Sequence, residues 1–309
     1  MNKENQTTYP SMKEITYRDY LEFLKKNDSV IIEDQEVKFH KQWEINKWGP
    51  SEEYKHEGTT VWSFPNRGDW VTHIGDYRGN FSPFIPRNVV EKYTKKGDWI
   101  LDQMVGGGTT LIECKLLERN AIGVDINPEA IMVTRNRLDF HYELSNSNYQ
   151  EPITKTYVGD ARNLNKIKDE SIDLIVTHPP YASIIKYTKN RLEGDISRLN
   201  VKSYLQAMGE IAGGSFRVLK PDKYCAILIG DTRKQRHFVP IAHGVMQKFL
   251  EAGFVLKEDI IKLQHNVFTN RGRWSKPYYD FYKIMHEHLF IFRKPKKGEK
   301  LPKLSSNLM

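Results

Sequence analysis

Apolar residues in this chain come in short runs that stop at acids, glycines or prolines, with segments of helical spacing between them. Residues 98–101 (DWIL) run into Asp102 and the cluster Gly106-Gly107-Gly108, after which Leu111, Ile112, Cys114, Leu116 and Leu117 recur as a helix face does. Residues 121–124 (AIGV) predict a buried strand ending at Asp125. Asn127-Pro128 predicts a helix start, asparagine as cap and proline in the first turn, with Leu138 near the helix's end. Residues 153–159 predict a strand leading to Asp160, and residues 171–176 (SIDLIV) another, closed by Thr177-His178-Pro179-Pro180-Tyr181. A helix over 203–218, which Gly213-Gly214 is expected to break or bend, precedes a strand over 224–229 that ends at Gly230-Asp231. An amphipathic helix over 240–252 and strands over 254–262 and 286–293 complete the set, and a further amphipathic helix is expected over residues 12–26. Strands alternating with helices predict an α/β fold with a mostly parallel sheet covered on both faces.

Ligands of such sheets bind beyond the carboxyl ends of the strands, where the strand order reverses. Asp102, Asp125, Asp160, His178 and Asp231 each follow an apolar strand, so the polar chemistry is expected to collect there. Glycines after Asp102 let the backbone turn tightly against a ligand, although their spacing is not G-x-G-x-x-G and no Walker lysine follows. Asp125 stands 23 residues after Asp102. An acid there can accept from both hydroxyls of a ribose, or serve the next helix as a dipole partner. In the Thr-His-Pro-Pro-Tyr turn, two prolines fix the backbone and remove two donors. Their carbonyls and the preceding side chain can converge as acceptors on an exocyclic amino group. Tyr181 can stack on the face of a base, its hydroxyl unused. A structural Pro-Pro turn with a packed tyrosine is the plainer reading.

Composition narrows the class. The 309 residues allow one large domain or two ordinary ones, and 39% apolar with 28% charged residues excludes a wholly disordered chain. No apolar run approaches the roughly 18 residues of a membrane helix, and the N-terminus lacks the apolar core of a secretory signal. Cys114 and Cys225, far apart, suit a reducing cytoplasm and no cysteine-based zinc cluster. The net charge of +8 is uneven: residues 1–60 carry a net −3 and residues 261–300 a net +7. Such a basic patch suits nucleic acid or is a solvated face.

The ordered motifs resemble the S-adenosylmethionine-dependent DNA amino-methyltransferases, which make N4-methylcytosine or N6-methyladenine. D-Q-M-V-G-G-G-T-T (102–110) is similar to their cofactor motif, G-V-D-I-N-P-E-A (123–130) to their ribose motif, and G-D-A-R (159–162) to the motif whose acid contacts the cofactor adenine. T-H-P-P-Y resembles their catalytic motif, and R-G-N-F-S-P-F-I-P-R (78–87) the segment that closes on the methionine end of the cofactor. The resemblance implies a Rossmann-like class I methyltransferase fold: a mostly parallel seven-stranded sheet with an antiparallel last strand. It implies S-adenosylmethionine held by Asp102, Gly106, Gly108, Thr109, Asp125, Asp160, Phe81, Ser82 and Pro83, and catalysis by His178, Pro179, Pro180 and Tyr181. Residues 61–293 would be the catalytic domain, 1–60 an N-terminal extension whose helix over 12–26 is expected to pack on the core or on a dimer partner, and 294–309 a loose basic tail.

Three features depart from the family pattern. Gln103-Met104 replaces Pro-Phe. His178 replaces Asp, Asn or Ser, and can accept one hydrogen bond when neutral, while Thr177 matches the cytosine-type motif. No long target-recognition domain is present, so DNA contacts are expected from short loops. These are 265–283, with Arg271, Arg273 and Trp274; 183–198, with Lys186; and 61–78. The implied partners are DNA and a cognate restriction endonuclease, with no membrane, and the chain a cytoplasmic monomer or homodimer. RNA amino-methylation, for example of guanine N2, and a non-catalytic DNA-binding subunit are the alternatives. His286 and His288 share a strand face without a third ligand, so no metal is expected.

Overall fold

A computed structural model describes residues 9–32, 34–77, 79–141, 149–181, 194–265 and 280–301. The N-terminal part carries β1 (Lys13–Ile15), α1 (Tyr17–Leu24), β2 (Ser29–Ile32), β3 (Gln35–Lys38) and β4 (Val61–Ser63). Then follow α2 (Phe84–Tyr93), β5 (Trp99–Asp102), α3 (Thr109–Leu116), β6 (Asn120–Asp125), α4 (Pro128–Leu138), β7 (Thr154–Val158) and β8 (Ile172–Thr177). The last part holds α5 (Val201–Val218), β9 (Leu219–Ile229), β10 (Thr232–Lys234), β11 (His237–Val239), α6 (Ile241–Glu251), β12 (Val255–Leu263) and β13 (His286–Arg293).

One sheet runs in the order β1-β7-β6-β5-β8-β9-β13-β12-β4. Its middle seven strands are the expected set. Strands β5 to β9 are mutually parallel, and the last strand in sequence, β13, inserts antiparallel between β9 and β12. The two additional strands come from the N-terminal segment: β1 lies antiparallel on β7 and β4 parallel on β12. Each is three residues long, too short for a period-2 pattern to show, and each covers an edge of the kind that would otherwise present unpaired backbone groups.

Alternation along the strands divides the core. Leu101, Ile175 and Ile227 pack with α5 and α6 on one face, while Ile100, Leu174, Val176, Ala226 and Leu228 pack with α2, α3 and α4 on the other. Burial on both faces is why the parallel strands read as continuous apolar runs. Helix α4 starts as expected, Asn127 accepting from the Glu129 N–H (3.0 Å) ahead of Pro128. Helix α5 runs unbroken through Gly213-Gly214, where a break was expected; a side chain on Gly214 would meet Leu164.

The helix expected over 12–26 begins late. Thr16 and Asp19 form a reciprocal capping box that starts α1 at Tyr17, which frees residues 13–15 to pair with β7. The N-terminal segment is stitched to α4 through Asn136. Its amide donates to the Tyr20 hydroxyl and the His40 carbonyl (2.8 Å each) and accepts from the His40 N–H (3.1 Å). Glu113 of α3 does the same for the segment leading to α2, accepting from Trp70 Nε1 (2.7 Å) and pairing with His73 and Arg87. At the root of the tail Lys294 is buried and donates to the carbonyls of Phe216 and Leu219 (2.8 Å each), and residues 302–309 lie outside the described residues.

Asn136→Ala should leave buried partners unpaired and destabilise the protein by about 1–3 kcal/mol. Urea unfolding should show a lower midpoint at unchanged slope; an unchanged midpoint would mean the extension is held by its apolar contacts alone.

Candidate active site

Strand β5 lies between β6 and β8, so the chain reverses its direction of travel across the sheet there. Beyond the carboxyl ends of these strands lies a cleft with about 820 Å³ of empty space, part of it open to solvent, and with Phe81, Gly106, Asp125, Asp160, His178 and Pro180 in its wall.

The glycine turn builds its floor. Gly106 (φ +51°) and Gly108 (φ +84°) adopt left-handed conformations that favour glycine. The Gly106 N–H donates to Asp125 Oδ2 (2.9 Å), and Asp125 Oδ1 accepts from the Asn127 N–H (2.9 Å). The carboxylate is thus pinned by the glycine turn and by the entry to α4, and still edges the cleft. Burial pushes its pKa up to about 6 against these two hydrogen bonds.

Asp102 does not line the cleft. It is buried below it, Oδ2 accepting from the Thr110 hydroxyl (2.6 Å) and Oδ1 from the Thr177 hydroxyl (2.9 Å) and the Met104 N–H (3.2 Å). Burial pushes this group, too, up to about 6. Gly108 and Thr109 sit at the start of α3 rather than in the wall. Gln103, the departure from Pro-Phe, is accommodated by a buried pairing with Ser215 of α5 (2.9 Å).

Of the 81–83 segment, Phe81 faces the cleft. The Ser82 hydroxyl turns away to the Arg67 carbonyl (2.6 Å) and Pro83 precedes α2, so neither is brought to the cleft. Asn80, not singled out from sequence, is in the wall with a buried amide nitrogen that has no hydrogen-bond partner. Asp160 is clasped by Arg162 through Nε (2.9 Å) and Nη2 (2.5 Å), an arginine the G-D-A-R motif contained but whose pairing it did not reveal.

At the end of β8 the side chains form a relay. Lys262 Nζ donates to Glu287 (2.9 Å), the Tyr181 hydroxyl donates to Glu287 Oε1 (2.5 Å), and His178 Nε2 lies 3.0 Å from the same hydroxyl. Burial disfavours a charged Glu287, but Lys262, His178 and the Tyr181 hydroxyl outweigh it and hold its pKa down at about 2. With the tyrosine proton committed to a carboxylate, the hydroxyl oxygen accepts from His178, which places the imidazole proton on Nε2. With the proton on Nε2, Nδ1 is left as an acceptor; it is buried and makes no hydrogen bond of good geometry, although the Gly79 backbone lies close to the ring. The Gly79 backbone and Glu287 favour the protonated ring, but desolvation outweighs them and lowers the His178 pKa below its ordinary value, keeping the ring neutral.

The Tyr181 hydroxyl is therefore engaged, contrary to the reading that its ring alone is used. Glu287 was missed because its contact with Tyr181 spans 106 residues; its one signal was strand alternation, which sets it opposite His286 and His288. The expectation that His288 lacks companions is corrected as well: Asp231 and His243 bring ligand atoms within 4.8 Å of it and of one another. Arg271, Arg273, Trp274 and Lys186 lie outside the described residues.

The chain belongs to the DNA methylase family, the S-adenosylmethionine-dependent amino-methyltransferases: the family model, described as DNA methylase, matches residues 1–136 and 172–307. A model described as the RMKL-like methyltransferase domain matches residues 92–194. The chain is similar to the Type II methyltransferase M.BglI of Bacillus subtilis, 28% identical over 33% of this chain and 35% of that protein. It is also similar to tRNA (guanine(10)-N2)-dimethyltransferase of Methanothermobacter thermautotrophicus, 37% identical over 34% of this chain and 29% of that protein. The matches thus span about a third of these relatives. Among solved structures, a SAM-dependent methyltransferase from Methanosarcina mazei is similar with a TM-score of 0.45 and 16% identity, covering 67% of this chain and 97% of that one. No helix among the described residues is long and apolar enough to cross a membrane.

The cleft fits S-adenosylmethionine. Asp125 has a pinned carboxylate that would suit ribose hydroxyls, and the unpaired Asn80 amide nitrogen in the wall would suit an anionic group such as the methionine carboxylate. Because Asp125 ionises near 6, cofactor affinity should weaken as pH falls from 7 through that value. Calorimetry across this range should show the slope in the wild type and a flat, weaker response in Asp125→Asn; an equal slope in both would remove Asp125 from the ribose site.

Proposed function

We propose that this chain methylates an exocyclic amino nitrogen, N4 of cytosine or N6 of adenine, at a specific site in DNA, as the modification half of a restriction-modification pair. The observation that carries it is His178 in the wall of the cleft, its Nε2 linked through the Tyr181 hydroxyl to Glu287 and Lys262 and its buried Nδ1 making no hydrogen bond of good geometry. S-adenosylmethionine, when bound, supplies an electrophilic methyl group on a sulfonium sulfur. His178 Nδ1 accepts one amino hydrogen and the Pro179 carbonyl the other, which draws the nitrogen toward a tetrahedral, nucleophilic form. Pro180 and Phe81 shape the wall and exclude water, and Tyr181 flanks an extruded base. The Thr177 hydroxyl is spent on Asp102, so its match to the cytosine-type motif carries no weight in choosing the base. The basic, aromatic loop 265–283, with Arg271, Arg273 and Trp274, and Lys186, five residues after Tyr181 in sequence, are assigned to DNA contact. Exposed Tyr282 (93%) and Phe238 (44%) at the described margin of this region support that assignment.

A tRNA amino-methyltransferase among the relatives, and the RMKL-like match over the motif region, favour RNA as the second reading. Labelled methyl transfer to duplex DNA and to tRNA or rRNA, followed by nucleoside analysis, separates them. N4-methylcytosine or N6-methyladenine in DNA is expected, and label confined to RNA overturns the DNA assignment.

His178→Ala should lower turnover about 10²-fold or more with cofactor affinity nearly intact. Tyr181→Phe, which cuts the link to Glu287, should lower it roughly tenfold. Full activity in either variant would dissolve the proposed role of the relay.

Protonation of His178 fills Nδ1, so activity is lost as pH falls through its pKa. That pKa lies below the ordinary 6.5, so wild-type turnover at saturating cofactor should persist below pH 6.5 before falling. In His178→Asn, an acceptor that does not titrate, this acid limb should vanish. An unchanged limb would assign the titration elsewhere.

A further inference from the structure

We propose that Asp231, His243 and His288 form a binding site for a divalent transition-metal ion, separate from the cofactor cleft. Asp231 follows β9, His243 lies in the first turn of α6, and His288 is on β13, where it pairs with Ile229 at the end of β9. None of the three lines the cleft. Asp231 Oδ2 stands 3.8 Å from His288 Nε2 and 4.0 Å from His243 Nδ1, and the three ligand atoms lie within 4.8 Å of one another.

These separations are too long for hydrogen bonds. They are close to the spacing around one ion: bonds of about 2.0–2.2 Å in tetrahedral geometry put ligand atoms roughly 3.3–3.6 Å apart, which small side-chain rotations reach. Asp231 shows that something is missing. Its Oδ1 accepts the Ala242 N–H at the start of α6 (2.8 Å), which accounts for one oxygen as a helix cap. Oδ2 is buried with no partner, on a side chain only 1% exposed. An orphaned carboxylate oxygen in such a place is costly, and a cation removes the cost.

The surroundings are those of a ligand set. His288 Nδ1 lies 3.0 Å from Asp259 Oδ1. A carboxylate on that nitrogen holds the ring in the tautomer whose Nε2 lone pair points at Asp231, as outer carboxylates do for metal-bound histidines. His243 is 54% exposed, which leaves an entry path and room for water as a fourth ligand. Two imidazoles and one carboxylate suit Zn²⁺, Co²⁺ or Ni²⁺ rather than Mg²⁺ or Ca²⁺. A competing arrangement is a protonated His288 between Asp231 and Asp259, which needs no metal. The bound ion would tie the end of β9, the start of α6 and β13 together. Gly230, next to Asp231, packs under the Tyr181 ring, and Glu287 projects from the other face of β13, so the ion would brace the catalytic relay without touching it.

The test uses the untagged full chain, stripped with chelator and re-equilibrated. One equivalent of Zn²⁺ per chain should be retained after dialysis, Co²⁺ should give d–d absorption of low coordination number, and Mg²⁺ should do neither. His243→Ala, at a half-exposed position, should fold and lose at least tenfold in Zn²⁺ affinity. Asp231→Ala and His288→Ala should abolish binding, and Asp259→Asn should weaken it by about 10–100-fold. Failure of the wild type to bind Zn²⁺ or Co²⁺ stoichiometrically at micromolar concentrations overturns the proposal and leaves the protonated-histidine arrangement. So does binding that survives in His243→Ala and His288→Ala alike.

Discussion

A buried carboxylate, Asp102, joins the two halves of the active site. Its oxygens accept from Thr110 at the start of α3, from the Met104 backbone in the glycine turn, and from Thr177 at the end of β8. The glycine turn that floors the cleft and the turn that carries His178 are therefore hung from one group. Ionised in the folded core, that group is expensive. A folded pKa near 6 against an ordinary 3.8 means that the charged form costs about 3 kcal/mol of stability at neutral pH, a cost that fades as pH falls from 6 toward 4. The folded chain bears this because three donors converge where no single apolar side chain could hold both turns in register.

A similar economy governs the end of β8. In the role proposed for it, His178 is useful as an acceptor only while neutral, and burial alone would leave its tautomer open. Glu287 closes that question by taking the tyrosine proton, and Lys262 keeps Glu287 ionised. The unusual histidine is thus compatible with a working site because a charged pair behind it settles which nitrogen carries the proton.

Much of this was legible in the sequence. Apolar runs ending at Asp102, Asp125, Asp160 and Thr177 placed the sheet, its switch point and the cleft, since parallel strands buried on both faces write themselves as unbroken hydrophobic runs. What escaped depended on distance or on brevity. Glu287, Lys262 and the Asp231–His243–His288 cluster meet across separations of 12 to 106 residues, and no local spacing encodes them. Ser82 and Pro83 followed the family pattern, yet local backbone geometry turns them to structural duties while Asn80 faces the cleft. Strands β1 and β4, at three residues each, fall below the length at which any periodicity can be counted.

Those two short strands bear on how the chain is made. The segment that closes both borders of the sheet is synthesised before the strands it pairs with: β1 waits for β7, about 140 residues on, and β4 for β12, about 200 residues on. Contacts of such sequence separation form slowly, after local structure has condensed. The nascent sheet therefore spends its growth with raw borders, and its final sealing is deferred until β12 has emerged. During that interval the growing chain is most open to mispairing with its neighbours.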